Sequence, residues 1–128
     1  MIFGKKLYAG RAAVCVQNTQ EQIKTAVVTA YVRFLEVNRL HEKDIVSLQF
    51  SVTPDITAAN PATLLRSAGY ASDTALFCSS EPNIDGSPHG IIRFLFYCYG
   101  KKKPVPVYLD GAEKLRPDLF NHKDTSKN

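Results

Sequence analysis

Apolar residues change their period several times along the chain, and each change predicts an element. Leu7 to Val16 is small and apolar, with Tyr8, Ala9, Ala12, Ala13 and Val14, and predicts a first strand with Gly10 and Arg11 in its middle. Cap chemistry follows from Asn18 to Gln22, with Thr19 and Gln22 at capping-box spacing. Ile23, Ala26, Val27, Ala30, Tyr31, Phe34 and Leu35 then recur at steps of three and four, while Lys24, Arg33, Glu36 and Arg39 fall elsewhere. This predicts a helix of about five turns with one buried stripe.

From Ile45 to Thr53 the period drops to two: Val46, Leu48, Phe50 and Val52 alternate with Ser47, Gln49, Ser51 and Thr53, a strand ended by Pro54. Asn60-Pro61 is a cap followed by proline at the first helical position, so Pro61 to Ser67 is a short helix closed near Gly69. Asp73 to Cys78 is a third strand. A loop rich in turn formers, Ser79 to Pro88, leads into a fourth strand, Gly90 to Tyr99; Lys101 to Lys103 turn the chain, and Val105 to Leu109 make a fifth strand. The order strand, long helix, strand, short helix, three strands is that of an α/β or α+β domain with a mixed five-stranded sheet.

The fourth strand predicts more than its own existence. One face shows Ile91, Leu95, Tyr97 and Tyr99 and the other Ile92, Phe94, Phe96 and Cys98. Both faces want cover, yet the chain has one long helix to supply it. The second face is expected to pack on another subunit of a homo-oligomer.

Composition narrows the class. A chain of 128 residues, 45% hydrophobic and 22% charged, has room for one small domain with a core but not for a multidomain enzyme. Residues 1–120 are expected to form that single domain and 121–128 a flexible polar tail. The formal charge of +4 comes from 16 Lys+Arg against 12 Asp+Glu. Lys101, Lys102 and Lys103 supply three of the positive charges, and without them the count is 13 against 12. The lysine run reads as a solvated turn that blunts a sheet edge. No interleaving of aromatic and basic residues accompanies it, so no nucleic-acid partner is expected.

No stretch approaches the length of a membrane span, and the start lacks the apolar region of a signal peptide. Cys15, Cys78 and Cys98 form no CxxC pair and read as reduced thiols of a cytoplasmic protein. His41, His89 and His122 show no metal-ligand spacing, and no glycine motif cradles a phosphate. Neither a metal nor a cofactor is expected.

Candidate chemistry centres on Arg93. A guanidinium inside an apolar, aromatic strand needs a partner, either a structural ion pair with an acid such as Glu81 or a bound anion. Glu81 lies in the loop after the third strand, Arg66 on the short helix, and Tyr108 and Arg116 on the last strand and the tail. Three arginines, one carboxylate and a phenol, with no nucleophile-base pair, suit a site for a small polyanion.

Thr53-Pro54-Asp55, Asn60-Pro61-Ala62 to Arg66, Cys78-x-x-Glu81, Gly86, Ile92-Arg93, Val107-Tyr108-Leu109 and Leu115-Arg116-Pro117-Asp118-Leu119 together resemble the monofunctional, trimeric α/β chorismate mutases of the AroH type. The resemblance runs from about Thr19 to Leu119. It implies a trimeric pseudo-barrel with helices outside and active sites between subunits, and the [3,3] rearrangement of chorismate to prephenate. It implies roles too: Arg93 at the ether oxygen, Glu81 at the ring hydroxyl, Cys78 beside that hydroxyl, Tyr108 at a substrate carboxylate, and Arg66 and Arg116 at the mouth and tail. For Cys78 the alternative is a buried, inert thiol, and for Arg66 and Arg116 a solvated surface charge.

The chain departs from the pattern in its first strand, where the family has an arginine that grips the side-chain carboxylate. An ungapped count back from Thr19 puts Gly10 there. Arg11, one residue later, would face the other way in a regular strand and would serve only through a bulge. The lysine expected on the short helix is Thr63, and the apolar residue expected before Pro61 is Asn60. The alternatives to a chorismate mutase are a relative retuned for another pericyclic or isomerising substrate, or a trimeric ligand-binding protein without turnover.

Overall fold

The computed structural model describes residues 4–120. In chain order the elements are β1 (Lys6–Cys15), α1 (Gln20–Val37), β2 (Ile45–Val52), α2 (Pro61–Ser67), β3 (Ala75–Ser80), β4 (Ile91–Gly100) and β5 (Val107–Leu109). Short 3-10 turns occupy Glu42–Asp44, Ala112–Leu115 and Pro117–Leu119. Among the described residues the strands make one five-stranded sheet in the order β3-β2-β4-β1-β5. β4 runs antiparallel to both its neighbours, whereas β3 follows β2 and β5 follows β1 in parallel, so the sheet is mixed. The polar tail expected at 121–128 lies outside the described residues.

Local signals placed the helices closely. Thr19 caps α1, its hydroxyl accepting from the Gln22 N–H, and the six apolar positions from Ile23 to Phe34 are the ones the helix buries. Asn60 caps α2, with Pro61 at its first turn. Both helices lie on one face of the sheet, where their apolar residues meet Ile92, Phe94, Phe96 and Cys98 of β4 in one core cluster. The Phe34 ring stacks on Phe96 with centroids 3.9 Å apart.

Where long-range pairing decides, the structure differs from the periodicity. The alternation along β2 is broken by a bulge at Val46: Ile45 pairs with Cys98 and Ser47 with Tyr97, so Ile45 takes the buried place and Val46 is exposed. β3 starts and ends two residues later than expected, because its bounds follow parallel pairing with Ser47 to Val52. β5 begins at Val107 because Pro104 and Pro106 have no N–H to pair and Val105 spends both backbone groups on the Asn38 side chain.

Strand β1 corrects the expectation about Arg11. It pairs with β4 residue by residue from Lys6 to Cys15, without a bulge. Arg11 stands opposite Leu95, on the face that carries Arg93, and Gly10 stands opposite Phe96, in the core. A Cβ at Gly10 would come within 2.5 Å of Phe34 Cζ and 3.2 Å of Pro104 Cβ, so a side chain there would have to displace the Phe34 ring. The count back from Thr19 crosses the connection between β1 and α1, and there strand register rather than residue count fixes direction.

The face away from the helices is covered only at its β5 end. There Ala13, Tyr108 and Ala112 form a second small cluster under Leu115, Leu119 and Phe120. The remainder leaves Leu7, Phe77, Leu95 and Tyr99 exposed, Phe77 at 75%. The two-sided apolar pattern of β4 is thus satisfied on one side alone within a single chain.

Asp44, a buried carboxylate below α1, gives this fold a pH dependence. Burial pushes its pKa up, but the His41 backbone N–H and the Lys5 ammonium at 3.1 Å outweigh that and hold it below the ordinary 3.8. A depressed carboxylate stabilises the fold above its unfolded pKa and loses that contribution as pH falls through the folded value. Asp44→Asn is expected to lower stability at neutral pH by about 1.5–3 kcal/mol, the scale of hydrogen bonds to a charged group. In urea melts at stepped pH the gap from the parent should close below about pH 4; a gap that stays constant would contradict the assignment.

Candidate active site

Sheet register builds a row of side chains across the open face. Arg93 on β4 pairs with Ser51 on β2 and with Ala13 on β1; Ser51 pairs with Ser79 on β3, and Ala13 with Tyr108 on β5. Paired residues point to the same side of a sheet. At about 4.8 Å between strands, Arg93 and Tyr108 start about 10 Å apart with the small Ala13 between them. Arg11 lies two positions from Ala13 on β1, on the same side.

The motif Thr53-Pro54-Asp55 fixes where β4 begins. Thr53 exchanges backbone and hydroxyl hydrogen bonds with Ile91, and the Asp55 carboxylate accepts from the Gly90 N–H. Gly90 has φ of +69°, and a Cβ there would approach the Val16 carbonyl to 2.9 Å, which accounts for glycine at this turn. Arg93 stands two residues beyond the Ile91 clamp.

Arg93 donates from Nε to Glu81 Oε2 at 2.8 Å. The same oxygen accepts from the Ser51 hydroxyl at 2.7 Å. The pair is not sealed in the core, since the Arg93 side chain is 38% exposed and that of Glu81 19%. A guanidinium and a carboxylate therefore stand in contact on a face open to a ligand. At the β5 end, Arg116 makes a two-point contact with Asp118 at 2.9 and 2.7 Å, which holds the exposed Asp118 carboxyl below its ordinary pKa, with a smaller contribution from Arg11. Tyr108 packs its ring 5.3 Å from that of Phe120.

Of the seven residues singled out from the sequence, five share this face or its tail: Arg11, Glu81, Arg93, Tyr108 and Arg116. The other two lie elsewhere in the chain. Cys78 pairs with Phe50, so it faces the helix layer, where burial pushes its thiol pKa up. Arg66 on α2 is exposed and donates to the Thr74 carbonyl at 3.1 Å, closing the loop before β3. Both belong to the β3 edge. Sequence reasoning misses Ser51, although the period-two pattern of β2 already puts it on the side away from Leu48 and Phe50. A cavity of about 780 Å³ lined by Lys5, Arg39, His41 and Lys101 holds none of these residues.

The family model for chorismate mutase type I matches residues 7–119. The chain is 29% identical over 122 residues to chorismate mutase AroH of Bacillus subtilis, covering 90% of this chain and 94% of that protein. It is 32% identical over 115 residues to chorismate mutase AroH of Thermus thermophilus, covering 85% and 93%. Among solved structures it resembles a chorismate mutase from Clostridium thermocellum with a TM-score of 0.77 and 36% identity, over 83% of this chain and 97% of the other. The fold, the matched span and these similarities together establish that this chain belongs to the type I chorismate mutase family.

Proposed function

We propose that the protein is an isomerase that converts chorismate to prephenate on the open face of its sheet. The observation that carries this reading is the Arg93–Glu81 contact, a fixed cation and a fixed anion side by side where a ligand can reach them. In the [3,3] rearrangement the ether C–O bond breaks ahead of C–C bond formation. Negative charge builds on the ether oxygen and enolpyruvyl fragment, and positive charge on the ring. An N–H of Arg93 directed at the ether oxygen and the Glu81 carboxylate facing the ring both bind that charge distribution better than they bind the substrate. No proton is transferred, no covalent intermediate forms and no cofactor enters.

Chorismate is a dianion. Arg11, Tyr108 and Arg116 stand where its carboxylates can be held, and the Arg116–Asp118 contact opens to exchange one carboxylate for another. Arg66, exposed beside the β3 edge, enters the site from a neighbouring copy whose edge abuts this face. The homotrimer that the family resemblance implies supplies that neighbour and covers Leu7, Phe77, Leu95 and Tyr99. Family membership and the opposed charges favour turnover of chorismate over a retuned substrate or a binding role alone. Among the described residues no helix is long and apolar enough to cross a membrane. With Cys15, Cys78 and Cys98 unpaired, we place the enzyme in the cytoplasm.

Purified protein incubated with chorismate is expected to remove the chorismate absorbance, and acid treatment of the product should yield phenylpyruvate. No loss of chorismate at micromolar enzyme would overturn the reading.

A further inference from the structure

Two donors converge on a single oxygen of Glu81. Arg93 Nε reaches Oε2 at 2.8 Å and the Ser51 hydroxyl reaches the same atom at 2.7 Å. The Glu81 backbone N–H is itself tied to the Val52 carbonyl at 2.8 Å. β2 therefore holds this residue at two points, through the main chain of Val52 and the side chain of Ser51. Sheet pairing fixes Ser51 in turn, since it lies directly between Ser79 and Arg93. We propose that Ser51 is the positioning residue for Glu81, and that it acts on the rearrangement through that carboxylate without touching the substrate. This rests on the chorismate reading of the site.

The geometry explains why a hydroxyl suits this place. A carboxylate held by one donor can swing about its side-chain torsions, whereas two donors on one oxygen fix the plane of the group. With Oε2 occupied, Oε1 is the oxygen presented to a ligand. Because Arg93 is engaged through Nε, its terminal Nη groups are the donors directed at the reacting atoms. Serine is also neutral. A lysine or arginine at 51 would hold Glu81 as firmly but would cancel the negative field that the positive ring of the transition state needs. An alanine would leave the cation as the only anchor and let the carboxylate follow every movement of Arg93.

Ser51→Ala and Ser51→Thr, made in the full chain, test this against chorismate. The alanine variant is expected to lose about tenfold in kcat, the scale of one hydrogen bond to a charged group, with KM changed by less than about twofold because the carboxylate-binding arginines are untouched. The threonine variant, which keeps the hydroxyl, should recover most of the rate. Crystal structures should show the Glu81 carboxylate turned away from its parent orientation in Ser51→Ala and restored in Ser51→Thr. An unchanged kcat in the alanine variant overturns the proposal, as does an equal loss in both variants or an unmoved Glu81 in the alanine structure. If the parent itself fails to turn over chorismate, the functional reading falls, and the position of Glu81 in the two crystal structures still decides the role of Ser51.

Discussion

Arg93→Ala is expected to lower kcat for chorismate by about 10³-fold, with little change in stability or assembly. Removing one preorganised donor from a developing oxyanion costs roughly 3–4 kcal/mol of barrier where measured. Here the same guanidinium is the positive member of the pair that polarises the reacting bond. The small structural cost follows from exposure. The Arg93 side chain is 38% exposed, so its ion pair with Glu81 is screened and contributes about 1 kcal/mol or less to folding. Glu81 keeps the Ser51 hydroxyl as a donor after the substitution. Steady-state kinetics with size-exclusion chromatography would check both parts. A variant within a few-fold of the parent rate would exclude the ether-oxygen role, and a large loss of activity accompanied by dissociation would leave Arg93 a structural residue.

The largest expected effect on stability is at Phe34. Its ring is fully buried, lies nearly parallel to Phe96 and sits over Gly10. It thus packs against β1 and β4, the two strands that carry Arg11 and Arg93. Phe34→Ala is expected to cost about 3–5 kcal/mol, from lost transfer energy and the cavity left behind. That is a large fraction of the roughly 5–15 kcal/mol that holds a domain of this size together. Urea unfolding should show a lower midpoint with an unchanged slope. A loss below about 1 kcal/mol would mean that the neighbouring side chains collapse into the gap, contrary to a close-packed stack. Activity should fall with the folded fraction, because the register of β1 against β4 places Arg11 and Arg93 on one face.

Several site residues are legible in the sequence alone. Arg93 stands out because a guanidinium among Ile92, Phe94, Leu95 and Phe96 demands an anion, and Glu81 is the acid the chain offers it. The pair exists at 2.8 Å. The direction of Arg11 is not legible. It depends on which residue of β1 opposes which residue of β4, a pairing across more than eighty positions, and a count that crosses a connection has no access to it. Spacing in the sequence groups Cys78 with Glu81, but strand alternation points it at the helices. Ser51 is one more polar position in an alternating strand until the sheet sets it beside Arg93 and brings Glu81 to it.

By itself the sequence determined what depends on near neighbours: the α1 stripe and its Thr19 cap, the Asn60-Pro61 start of α2, and the excess apolar surface of β4. Helix capping and amphipathic spacing act within a few residues, so they are written locally. Only the tertiary structure decided the strand order β3-β2-β4-β1-β5, the bulge at Val46, the bare face of the sheet and the membership of the site. Those features arise from hydrogen-bonded pairing and close packing between segments far apart in the chain. A shift of one residue in that pairing would turn Arg11 into the core and Gly10 out of it.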